Sequence, residues 1–61
     1  MFIQRAYIFP PESIIHMFST GFNGVSRIDG LDERTILILF EDGKFKRFNN
    51  VKYWIIEEGE Q

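Results

Sequence analysis

Along this chain, apolar residues come in short runs broken by turn residues. Residues 2–9, FIQRAYIF, are rich in β-branched and aromatic types and hold no turn residue, which predicts a strand. Pro10-Pro11 ends it, because neither proline can donate to a ladder. In residues 10–18, proline near a first turn and Glu12 at its positive end could open a short helix. Ile14, Ile15 and Phe18 are mediocre helix formers, so an extended segment stays equally open. STGFNG, residues 19–24, reads as loop. Residues 25–29 predict a second strand, Gly30 and Asp32 a turn, and TILILFE the strongest strand of the chain.

The next signal is Asp42-Gly43, which fits a two-residue hairpin connection requiring positive φ. That register sets Glu41 opposite Lys44, Phe40 opposite Phe45 and Leu37 opposite Phe48, all favourable cross-strand pairs. Asn49-Asn50 can make a second tight turn into VKYWII, since asparagine tolerates the left-handed region. Such a turn pairs Phe45 with Trp54 and Lys46 with Tyr53, but also Arg47 with Lys52, two cations. For residues 51–58 a strand is the preferred reading and a short helix the alternative.

The resulting fold class is mainly β, with a small α+β arrangement as a variant. It is an antiparallel meander or small barrel of four or five strands, with at most one or two short helices. Residues 1–58 form a single domain, and residues 59–61 end it as a flexible acidic tail. In the meander, one face carries Ile36, Ile38, Phe40, Phe45, Trp54 and Ile56, and the other Leu37, Leu39, Phe48, Val51, Tyr53 and Ile55. Both faces are apolar, whereas an antiparallel sheet normally keeps one face wet. The first 34 residues can cover only one of them, so the pattern predicts an association surface, unless the sheet closes into a barrel.

Size strengthens that expectation. A chain of 61 residues buries only roughly 60 % of the surface its unfolded form exposes, and small domains compensate with disulfides, metals, dense aromatic packing or association. Cysteine is absent and His16 is the only histidine, which leaves seven Phe, two Tyr, Trp54 and association. At 44 % hydrophobic and 26 % charged residues, the chain is a folded one. No apolar run approaches the roughly 20 residues of a membrane span, and MFIQRAYIF is too short and polar for a signal peptide, so a cytoplasmic location without membrane contact is expected.

Candidate chemistry changes this picture little. His16 has no serine or carboxylate spaced to form a triad, and Asp29, Asp32 and Glu33 lack the ligand alternation of a calcium loop. Gly21, Gly24 and Gly30 do not build a phosphate-cradling loop. The expectation is therefore no enzyme, no catalytic residue, no cofactor, no metal and no small-molecule substrate.

Two readings remain. The first is a protein–protein interaction module, self-associating or docked on a larger protein as a small regulator or inhibitor. Its candidate interface residues are Phe22, Phe48, Tyr53, Trp54 and Ile55, since aromatic anchors dominate interface energetics. The acidic set Asp29, Asp32, Glu33, Glu57 and Glu58 could steer a basic partner. The alternative is a small nucleic-acid-binding module, in which Lys44, Lys46, Arg47 and Lys52 steer to phosphate and a phenylalanine of FKRF stacks on bases. Against it, Phe45 and Phe48 fall on opposite sides of a strand, the net charge is -2, and lysines on an edge strand also serve to block aggregation.

Overall fold

A computed structural model describes residues 2–58, and the acidic tail expected at 59–61 lies outside them. Six strands follow one another: β1 (Phe2–Phe9), β2 (His16–Ser19), β3 (Val25–Asp32), β4 (Thr35–Phe40), β5 (Phe45–Phe48) and β6 (Lys52–Glu58). Among the described residues there is no helix. The strands form two antiparallel three-stranded sheets, ordered β2-β1-β6 and β3-β4-β5. The mainly β class is as the pattern predicts, with one strand beyond the expected four or five. That strand comes from residues 10–18. Residues 10–15 form a loop that opens with the two prolines, and HMFS, two of its four residues large and apolar, then pairs with β1 from Ile8↔His16 to Arg5↔Ser19.

The two sheets share one core. Ala6 and Ile8 of β1 meet Val25, Ile28, Ile36 and Ile38 of the second sheet, with Val51 closing the end. Aromatic rings fill one side of the interlayer space: Phe18 lies 6.4 Å from Phe40 and 6.0 Å from Phe48, and His16 lies 5.5 Å from Phe48. Such pairs add to the free energy gained by burial alone.

Two expected pairings are corrected. The β4–β5 hairpin forms, but one residue out of the expected register: Leu39 faces Phe45 and Ile36 faces Phe48. The loop is residues 41–43. Gly43 donates to the Phe40 carbonyl at 3.1 Å, and the Phe40 amide donates to the Lys44 carbonyl at 2.9 Å. Only Gly43 takes a positive φ, of 89°, so the loop avoids the left-handed conformation that a two-residue turn would impose on Asp42. The Asp42 carboxylate instead accepts the Lys44 amide at 2.9 Å. A slip of one exchanges the faces of β5, and this one turns Phe48 to the same side as the buried Ile36.

At Asn49-Asn50 the expected hairpin turn does not form. Asn50 does adopt the left-handed region, at φ 57°, yet the chain does not fold back on β5. The Asn50 carboxamide accepts from Arg34 at 3.2 Å, and the Val51 amide donates to the Arg34 carbonyl at 3.0 Å. These bonds tie the connection to the β3–β4 turn and send β6 across to β1, where it pairs from Phe9↔Lys52 to Phe2↔Glu58. The expected opposition of Arg47 and Lys52 is thereby removed. Residues 52–58 are strand, as preferred from the sequence.

Candidate interaction face

Because Ala6 and Ile8 are wholly buried, their neighbours Arg5, Tyr7 and Phe9 face away from the core. The register of β1 with its two partners extends that outer face. Tyr7 stands between Met17 of β2 and Trp54 of β6, making a three-strand row of Met17, Tyr7 and Trp54. Met17 is 57 % exposed and Trp54 69 % exposed. The adjoining row is Ser19, Arg5 and Ile56, and Lys52 lies beside Phe9 on the other flank. Single exposed apolar residues are ordinary, but here they are neighbours on one sheet face.

Arg5 lies at the centre of this face. Its Nε donates to the Ser19 hydroxyl at 3.0 Å, and its Nη1 makes a longer contact of 3.4 Å with the Tyr7 hydroxyl. Among the described residues the guanidinium makes no other side-chain hydrogen bond, so it offers further donors to an incoming acceptor. The outward positions from Arg5 to Phe9, Met17 to Ser19 and Lys52 to Ile56 hold two cations and no carboxylate. At the β2 margin, Phe22 in the turn is 65 % exposed and borders an open groove of about 280 Å³, lined also by Arg5, Met17, Phe18, Val25 and Phe40.

The five interface residues named from the sequence do not lie on one surface. Trp54 is on the outer face and Phe22 at its margin. Phe48, Tyr53 and Ile55 are half-buried and pack against the core between the sheets. Tyr7 and Met17 carry no direct signal in the sequence, since their position depends on β1 being the central strand of its sheet. Alternation along residues 5–9 would have exposed Tyr7 once that pairing was known.

The basic set is also divided. Lys46 shares a side with Ile38, while Arg47 shares the opposite side with Leu37, and Lys52 belongs to the other sheet. Arg47 donates to Asn49 at 2.9 Å, and nearby Arg27 is paired with Asp29 at 2.9 Å. Phe45, 62 % exposed, accompanies Arg47 alone.

The acidic turn between β3 and β4 is built locally. Asp32 accepts the Arg34 amide at 2.8 Å, and this bond, helped by the Thr35 hydroxyl, holds its carboxyl below the ordinary value. Among the described residues no three histidine or acidic side chains come together as metal ligands, and no helix is long and apolar enough to cross a membrane. No protein-family model, curated protein or solved structure matches the chain.

Proposed function

We propose that this chain is a non-enzymatic protein–protein interaction module that docks through the outer face of the β2-β1-β6 sheet, acting as a small regulator or inhibitor of the protein it contacts. The observation that carries this reading is the outer row in which half-buried Tyr7 stands between exposed Met17 and Trp54, continued by Ile56. Aromatic and methionine side chains are the types enriched at interface centres, and a rigid sheet presents them with little ordering cost. Arg5 and Lys52 define the partner's chemistry: an apolar segment flanked by carboxylates, which meets the two cations at the rim.

The test is selection from a displayed peptide library on the wild-type chain, followed by binding of the selected peptides to Trp54→Glu and Arg5→Glu variants. The expected winners carry aliphatic or aromatic residues between acids, bind at resonances of Tyr7, Met17 and Trp54, and lose affinity for both variants. Peptides that bind both variants as tightly as wild type would sink the proposal.

The nucleic-acid reading has less support, because the four basic residues divide between two sheets and between opposite sides of β5. A single-strand platform needs cations and stacking rings on one surface.

A further inference from the structure

We propose that β6 pairs antiparallel with β6 of a second copy, about a two-fold axis through Ile55, to give a continuous sheet of order β2-β1-β6-β6-β1-β2. The pairing uses the open backbone edge of β6 and the docking reading uses side chains of the sheet face, so the two can fail separately.

The edge is open. β6 is the terminal strand of its sheet, and among the described residues Val51, just before it, holds the backbone link to the β3–β4 turn. Among the described residues, the side of the strand away from β1 has no strand partner from Lys52 to Glu58. Such a row of amides and carbonyls is a template for a further strand.

The other terminal strands are protected. β2 and β5 have four residues each, and β5 carries Lys46 and Arg47 with Lys44 just before it. β3 is interrupted by register shifts between Val25 and Arg27 and between Gly30 and Asp32. Short length, lysine and bulges are the devices that discourage edge pairing. β6 has seven residues, and the irregularity in its pairing with β1 arises between Ile3 and Arg5, on the β1 side.

The strand is also complementary to itself. An axis perpendicular to the sheet keeps each face on its own side, so residues of like parity must pair. Centred on Ile55, the antiparallel register sets Lys52 opposite Glu58, Tyr53 opposite Glu57, and Trp54 opposite Ile56, each pair occurring twice. The register places residue types of opposite charge at its two ends and the exposed Trp54 and Ile56 in its middle. Centring on Trp54 would set Lys52 against Ile56, and centring on Ile56 would set Trp54 against Glu58. Only the Ile55 register satisfies both the charge and the apolar positions. It joins the two outer faces at a Trp54–Ile56 seam.

Sedimentation equilibrium over a dilution series tests this on the full chain, with circular dichroism to verify that each variant is folded. The wild type is expected to dimerise, and Ile56→Lys to be monomeric at concentrations where the wild type is dimeric. Lys52→Glu and Glu58→Lys should each weaken the dimer about tenfold, since two attractive pairs become repulsive, and the double exchange should restore it. A wild type that stays monomeric up to its solubility limit overturns the proposal. So does a dimer indifferent to all these changes, or a double exchange that stays as weak as the singles. A monomer that still selects acidic peptides at Trp54 keeps the docking face and loses only the dimer.

Discussion

The Tyr53 hydroxyl donates to the main-chain carbonyl of Asp32, joining β6 to the end of β3 across the opening between the two sheets. Gly30 makes the approach possible, because a Cβ there would lie 2.8 Å from the Tyr53 hydroxyl oxygen. The bond and the missing side chain therefore act as one device. Tyr53→Phe is expected to cost about 1 kcal/mol, the net worth of a typical hydrogen bond. Gly30→Ala should destabilise by pushing the ring off Asp32, and by a smaller amount in the Tyr53→Phe background, where no hydroxyl is displaced. Urea unfolding of the four proteins reads the coupling, and additive costs would show that the two positions act independently.

The same turn carries opposite dependences on pH. Burial, reinforced by the charges of Asp32 and Glu33, raises the Tyr53 phenol above its ordinary 10.0. The unfolded chain then loses this proton first, so the contribution of Tyr53 is intact below the ordinary value and is lost as pH rises through the folded one. Asp32, held down chiefly by the Arg34 amide, contributes above its ordinary 3.8 and loses that contribution as pH falls through the folded value. Denaturation across pH should show Tyr53→Phe flattening the alkaline decline relative to wild type, and Asp32→Ala flattening the acid one. Parallel profiles for variant and wild type would remove either assignment.

How much of this was legible in the sequence depended on the range of the interaction. FIQRAYIF, followed by two prolines, marked β1 and its end at Phe9, because local composition decides where a strand stops. The hairpin at Asp42-Gly43 was visible too, but its register was not, since two-residue and three-residue loops share that dipeptide and the choice is made by where Phe48 packs. The partner of β6 was hidden. Asn49-Asn50 carries the same turn signal whether the chain reverses onto β5 or is held by Arg34 and passes to β1. With that pairing unknown, Tyr7 and Met17 could not be placed beside Trp54, and Tyr53 and Ile55 could not be assigned to the core. Strand identity is a local property, whereas the composition of a sheet face is a non-local one.

Placement of the basic residues predicts little affinity for single strands. Lys46 and Arg47 project to opposite sides of β5, and each retains only one phenylalanine as a companion on its side. A fluorescent oligonucleotide titrated with the chain at low salt should show at most weak binding that Lys46→Ser and Arg47→Ser reduce independently. Tight binding that falls steeply with salt and is abolished by the double substitution would instead require a phosphate-tracking surface that reaches across both sides of the strand.

Two aromatic residues that look equivalent in the sequence should separate folding from docking. Phe48 lies against His16 and Phe18 in the interlayer space, so Phe48→Ala removes packed atoms and is expected to cost about 3 kcal/mol, a cavity-scale loss. For a chain whose total stability is roughly 3–9 kcal/mol by size, that is a large share. Trp54 is 69 % exposed on the outer face, and Trp54→Ala should leave the monomer within about 0.5 kcal/mol of wild type. Its effect belongs to assembly: the variant should lose binding of acidic–apolar peptides and weaken the β6 seam. Thermal unfolding at a concentration low enough to populate the monomer, set beside peptide titration, measures both. The reverse result, a Trp54 variant that unfolds readily and a Phe48 variant that folds but no longer binds, would move the docking surface from the outer face to the aromatic side of the core.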